Sequence, residues 1–167
     1  MNPTLLEGEL VVVEKISKVI GRVEYGDILV VTYPMGIQCV KRVIGLEGDH
    51  VEIRENRIFL NNQMLEESYL SFQEIEEMGE YVVPQDHVFF VGDNRAHSID
   101  SRNPGIGALH KDQIIGKVLF IIYPFERIES RWTSRFATGC YCVNVFCTES
   151  FWQFCLNVTI LSLSQRE

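Results

Sequence analysis

The stretch "DILVVTYPMGIQCVKRVIGLEGDHVEIRENRIFLN", residues 27–61, decides the fold class. Four short runs rich in Val and Ile, "DILVVTY" (27–33), "QCVKRVIG" (38–45), "HVEIR" (50–54) and "RIFLN" (57–61), alternate with turn formers. Side chains that are branched at Cβ suit a pleated, half-buried surface, and runs this short read as strands. Between the last two runs only Glu55 and Asn56 remain, which predicts a tight hairpin. The Gly-Asp pairs at 26/27 and 48/49 mark strand ends.

The same texture continues on both sides. "ELVVVEK" (9–15), "HVFFVG" (87–92) and "QIIGKVLFIIY" (113–123) are further strand candidates, and a third Gly-Asp pair stands at 92/93. Helical spacing is scarce, and only "SFQEIEEMGE" (71–80) is expected to form a helical turn or two. The expected fold is mainly β, with packed antiparallel sheets forming a barrel-like domain.

The 167 residues suit one domain with a real core, and 46% hydrophobic content argues against disorder. A formal charge of -8 with no basic stripe argues against nucleic acid, or an anionic membrane surface, as a partner recognised through bulk charge. The opening "MNPTLLEGELVVVEK" does not read as a signal peptide or membrane anchor, because Glu7, Gly8 and Glu9 interrupt its apolar residues. Composition changes near the end: after Arg131 only Arg135, Glu149, Arg166 and Glu167 carry charge. Four of the five cysteines, Cys140, Cys142, Cys147 and Cys155, fall there, in a spacing that matches no zinc or thioredoxin signature. The chain is therefore divided into a domain, 1–131, and an atypical tail, 132–167, expected to add little to the domain. The readings of the tail are, in order, an appendage foreign to the domain, a poor membrane-associating segment, and a cysteine-rich module; Asn144, Glu149, Gln153 and Asn157 punctuate it too often for a membrane span.

Placed on strands, the polar residues become informative. In "QCVKRVIG" the period of two sets Cys39, Lys41 and Val43 on one face and Val40, Arg42 and Ile44 on the other. Either both cations snorkel to water from an edge strand, or Lys41 is partly desolvated, which lowers its pKa and lets the neutral amine act as a base. The run "VGDNRAHSIDSR" (91–102) is either a solvated charged loop or a rigid functional one. Asp93, Arg95, Asp100 and Arg102 supply charge there, while Asn94, Ser98 and Ser101 supply short hydrogen-bonding groups. The histidines, His50, His87, His97 and His110, are scattered, so a metal site or a histidine triad is the weaker proposal. A hydroxyl nucleophile with a lysine base needs no histidine.

Three stretches together, "MNPTLLEGE" (1–9), "VKRVIGLEGD" (40–49) and "VGDNRAHSIDSR" (91–102), resemble the type I signal peptidases, membrane-bound serine endopeptidases that remove signal peptides from exported proteins. The resemblance runs from Met1 to about Phe125 and ends in "IIGKVLFIIYPF". It implies that Lys41 is the general base and that Ser98 hydrogen-bonds and aims its amine. It implies a salt bridge between Asp100 and Arg102 and a second brace between Arg42 and Asp93. Leu5, Cys39 and Val40 match positions that line shallow substrate pockets for the small side chains of Ala-x-Ala cleavage sites, with the substrate added as a strand to a sheet edge. The short connection between Leu70 and Tyr81 resembles the compact members found in bacteria with a single membrane. The lysine argues against the endoplasmic-reticulum type, which uses histidine there.

In the family the nucleophilic serine immediately precedes the methionine matched by Met1, and a membrane anchor lies before it. The expected partners are secretory preproteins and, through that anchor, the plasma membrane, with the catalytic domain on its extracytoplasmic face; no cofactor, metal or nucleic acid is expected. Two readings follow: a signal peptidase I whose serine and anchor stand outside the present sequence, and an inactive homologue that binds preproteins or a partner peptidase. A self-cleaving repressor-type Ser-Lys protease lacks support, since no DNA-binding segment is evident and the polar loop does not resemble that group's.

Overall fold

The computed structural model describes residues 1–15, 23–70, 74–123 and 158–163. Eleven strands are formed among these residues: β1 (Leu10–Glu14), β2 (Ile28–Thr32), β3 (Gln38–Gly45), β4 (His50–Arg54), β5 (Arg57–Leu60), β6 (Gln63–Met64), β7 (Met78–Val82), β8 (His87–Val91), β9 (Leu109–His110), β10 (Ile114–Tyr123) and β11 (Val158–Ser162). Seven of them make one sheet in the order β11-β1-β10-β2-β3-β8-β9, and four make a second in the order β6-β5-β4-β7. Every pairing is antiparallel, and the larger sheet curls into a half-barrel. The expected mainly β class and antiparallel architecture are what the chain adopts.

The hairpin at Glu55 and Asn56 has the form its length demands. Arg54 pairs with Arg57, and both loop residues take positive φ, 52° and 60°, the turn whose twist matches that of the flanking strands. Asn61 and Asn62 repeat the device between β5 and β6.

Three apolar clusters hold the sheets. One gathers Leu29, Val31, Tyr33, Val43, Val88 and Phe90. A second joins Ile44, Val51, Ile53, Ile58, Phe89 and Val91, so β3 and β8 contribute to the contact with the smaller sheet. The third contains Leu5, Val11, Val13, Ile28, Val30, Val118 and Ile121. Burying a side chain of this size contributes about 1.5–3 kcal/mol, which makes these clusters the main favourable term in the fold.

Two expectations need revision or restriction. The helical turn expected over 71–80 is not present in its described part: Met78–Val82 forms β7 and pairs with β4, His50 opposite Val82 and Val51 opposite Tyr81. Met78 and Tyr81 pack on the cluster of Ile53 and Phe89, so the open edge of β4 and this apolar contact override the low strand propensity of a glutamate-rich segment. Residues 71–73 lie outside the described ones. Of the tail, only 158–163 are described, and the expected boundary at 131/132 falls outside them, as do Cys140, Cys142, Cys147 and Cys155. Those six residues lie on the domain: β11 pairs with β1 along its length, and Leu161 and Leu163 pack on the third cluster. No helix among the described residues is long and apolar enough to cross a membrane.

Candidate active site

The site begins with the register of β2 and β3. Lys41 pairs with Leu29, Cys39 with Val31 and Val40 with Val30. Because side chains alternate, Lys41 shares a face with the first apolar cluster rather than with solvent. It is 9% exposed and Arg42 is 4% exposed, so neither cation snorkels to water. The Lys41 amine ends against a hydroxyl: Nζ donates to Ser98 Oγ over 2.6 Å.

The surroundings push this amine below the ordinary lysine range. Burial is the largest cause; Asp100 and Cys39 oppose it, and the Arg102 charge adds to it. Burial also raises the Cys39 thiol, against the pull of Lys41. For Asp100 burial acts upward, but hydrogen bonds and charge from Arg102, the Gly92 N–H and the Ser98 hydroxyl together hold the carboxyl below the usual carboxylate range.

The loop that carries Ser98 is braced from several sides. Arg102 Nε and Nη2 donate to the two Asp100 oxygens at 2.8 and 2.9 Å, and Nη2 also donates to the carbonyls of Arg95 and Ser98. Asp100 Oδ2 also accepts from Gly92 N at 3.0 Å. Ser101 folds the loop back on β8, where Phe90 N donates to its Oγ and its own N–H donates to Phe90 O. Tyr33 Oη donates to Ile99 O at 2.7 Å, which ties the loop to the end of β2. Gly92 leaves the space into which Ser98 fits: a Cβ there would lie 2.0 Å from Ser98 Oγ and 3.3 Å from Lys41 Nζ.

On the opposite face of β3, Arg42 pairs with Asp93 through two hydrogen bonds of 2.9 and 2.7 Å, and Asp93 is fully buried. The same guanidinium donates to Gly26 O and Thr4 Oγ1 and lies 3.8 Å above the Tyr69 ring. It therefore joins the amino-terminal segment, the β2 approach and the loop. Tyr69 in turn donates to Glu67, whose carboxylate also receives Arg95. Sequence reading did not find Thr4, Tyr69 or the Glu67 partner of Arg95, since no local spacing links 67–69 to the loop.

Both predicted ion pairs are thus formed, and Lys41, Ser98, Asp100 and Arg102 are brought together. The three residues matched to substrate pockets are not all on one side. Leu5 is 3% exposed and shares the third cluster with Val40 and Met1, whereas Cys39 packs against the first. The Met1 amine is pushed below its ordinary value first by burial and then by the Lys41 charge, so the two groups lie within electrostatic reach. The histidines take local partners: His50 with Glu80, His87 with Gln85 O, His97 with Asn94 and His110 with Asp112. No group of three or more His, Cys, Asp or Glu side chains among the described residues is placed to hold a metal.

Comparison with known proteins gives the site its context. Residues 1–123 match the family model described as signal peptidase, peptidase S26. Signal peptidase I U of Bacillus subtilis (strain 168) is 39% identical over 135 residues, covering 75% of this chain and 72% of that protein. Signal peptidase I P of Bacillus subtilis subsp. natto is 37% identical over 139 residues, covering 77% of this chain and 74% of that protein. A solved signal peptidase I from Enterococcus faecalis V583 is 28% identical and aligns with a TM-score of 0.49, over 57% of this chain and 96% of that one. With the family model spanning most of the β domain, and relatives at this identity over about three quarters of the chain, the chain belongs to the signal peptidase family, peptidase S26, and is by that kinship a serine endopeptidase.

Proposed function

We propose that this domain cleaves signal peptides from exported preproteins with a Ser-Lys dyad, in which Lys41 is the general base and the nucleophile is a serine joined to the nitrogen of Met1. The observation that carries the reading is the 2.6 Å contact between Lys41 Nζ and Ser98 Oγ in an almost buried setting. An amine held there by one donated hydrogen bond keeps its lone pair free for a second hydroxyl, and burial favours the neutral form that can accept a proton. In the cleavage step the neutral amine takes the serine proton as the serine oxygen attacks the scissile carbonyl carbon. The resulting ammonium returns that proton to the leaving amine, and water then hydrolyses the acyl-enzyme. The backbone N–H of the same serine would donate to the developing oxyanion.

Two further features support this reading. Met1 lies within electrostatic reach of Lys41, so a residue preceding it starts near the amine. On β3, Gln38–Lys41 pair with β2, while β8 begins its pairing only at Arg42, which leaves one edge of this half-strand without a strand partner among the described residues. An extended substrate can add to that edge, with small side chains directed toward Cys39 on one face and Val40 and Leu5 on the other. The partners are then preproteins with Ala-x-Ala sites, met at the extracytoplasmic face of the plasma membrane, to which an apolar helix ahead of the serine holds the domain.

The test joins a serine to Met1 behind a membrane-spanning helix of about 20 residues. Incubated with an Ala-x-Ala precursor, this protein is expected to release the mature chain, and its counterpart with alanine in place of the serine is expected to release none. A folded, membrane-inserted form that leaves the precursor intact contradicts the proposal and favours a homologue that binds preproteins without cutting them.

A further inference from the structure

Behind the Ser98 loop lies a cleft of about 480 Å³ between β7, the start of β8 and the loop 101–108. Its walls include Met78, Pro84, Ile106 and Ala108, which are apolar, and the polar side chains of Tyr81, His87, Ser101 and Arg102. Tyr81 Oη accepts from Ala108 N at 3.3 Å, and its own hydroxyl proton has no acceptor among the described residues. Arg102 spends Nε and Nη2 on Asp100, Arg95 O and Ser98 O, and its Nη1 has no hydrogen-bond partner among the described residues. A guanidinium presents five N–H donors in a fixed fork, so an arginine in the lining of a largely apolar cleft, with Nη1 unused, suits an anionic oxygen attached to an apolar body.

We infer that this cleft binds a small amphiphilic monocarboxylate, with the carboxylate held by Arg102 Nη1 and Tyr81 Oη and the apolar body against Met78, Pro84 and Ile106. Binding does not depend on the peptidase reading; its consequence for activity does. Arg102 is one of the charges that face Lys41, the others being Asp100 and Cys39; the Met1 nitrogen, an amine in the present sequence, is an uncharged amide once a serine is joined to it. Of these charges, Arg102 helps to keep the Lys41 amine unprotonated, and a bound anion offsets that charge. Occupancy therefore moves the rising limb of the pH–rate profile to higher pH and slows the enzyme below it.

The experiment uses the full 167-residue chain with phenylacetate as the probe and follows the backbone amide resonances of Gly107 and Ala108. Saturable shifts are expected within about 10 mM, a range set by the weak affinity of so small a ligand. Benzyl alcohol, which lacks the carboxylate, and acetate, which lacks the apolar body, are expected to bind at least about tenfold more weakly. Tyr81→Phe removes one donor to a charged group and is expected to weaken phenylacetate about tenfold, while Ala108→Leu fills the cleft and abolishes binding. Amides that do not move, or a Tyr81→Phe chain that binds as tightly as its parent, overturn the inference. Because this readout needs no catalysis, its failure leaves the peptidase proposal standing, and a silent peptidase leaves the binding result standing.

Discussion

Lys41 Nζ lies 2.6 Å from Ser98 Oγ although the two are 57 positions apart in the chain. The contact is made by two independently fixed elements, the β2–β3 ladder and a loop braced by Asp100 and Arg102. In the serine-extended protein, Ser98→Ala leaves the base in place but removes the group that aims it. Loss of one hydrogen bond to a charged or polar partner predicts a fall in kcat of about 10- to 100-fold with little change in KM. Lys41→Ala, which removes the base itself, is expected to abolish turnover. Initial rates of precursor cleavage across a substrate series check both.

Gly92 offers a test that touches neither functional group. An added methyl would meet Ser98 Oγ at 2.0 Å and Ser98 Cβ at 2.7 Å, so the loop must move. Gly92→Ala is expected to cost about 1–3 kcal/mol of stability, as overpacking does, and to reproduce the kinetic defect of Ser98→Ala. Thermal unfolding and cleavage rates on the same preparation separate the two effects. A Gly92→Ala protein with full activity would show that Ser98 does not need its observed position.

The Arg42–Asp93 pair is buried, with side-chain exposures of 5% and 0%. Removing one partner strands the other charge away from water, and breaking a pair of this kind typically costs about 3–5 kcal/mol. Asp93→Ala should therefore lower the denaturation midpoint sharply, whereas a change at the exposed His50–Glu80 contact, such as Glu80→Ala, should shift it by less than about 1 kcal/mol. Urea titration of both variants measures the contrast.

The described end of the tail adds a strand to the sheet. Gly8 N donates to Leu163 O at 2.8 Å, Leu163 N donates to Glu9 O at 2.9 Å, and Leu161 and Leu163 cover part of the third cluster. Composition alone suggests that 132–167 contribute little. The pairing predicts instead that ending the chain at residue 157 lowers the melting temperature, by an amount on the order of 1–3 kcal/mol of stability, and bares the edge of β1 to association. Calorimetry and sedimentation on the shortened chain check this; an unchanged transition restores the view of the tail as an appendage.

How much was legible in the sequence depended on how local the cause was. β3 could be bounded from its residues because Val40, Val43 and Ile44 alternate around two cations between clear turns. The Asp100–Arg102 pair has partners two residues apart, within reach of inspection. β7 could not be read, because what makes Met78–Val82 a strand is the open edge of β4, not the residues themselves. β6 and β9, of two residues each, carry too little pattern to register. The stacking of Arg42 on Tyr69 depends on a tertiary approach across 26 intervening positions of unremarkable sequence, and the burial of Lys41 became decidable only when its neighbours on the sheet were known.

The most direct test of the account is the pH dependence of kcat/KM for the serine-extended protein. The neutral Lys41 amine is the active form, so the rate must rise as pH climbs through its pKa, and burial, reinforced by Arg102 and opposed by Asp100 and Cys39, sets that pKa below the ordinary lysine value. The account predicts a rising limb centred below the ordinary lysine range, absent from the Lys41→Ala protein. A limb at the ordinary lysine value, or activity that keeps its pH dependence after Lys41→Ala, would contradict the assignment of Lys41 as the base.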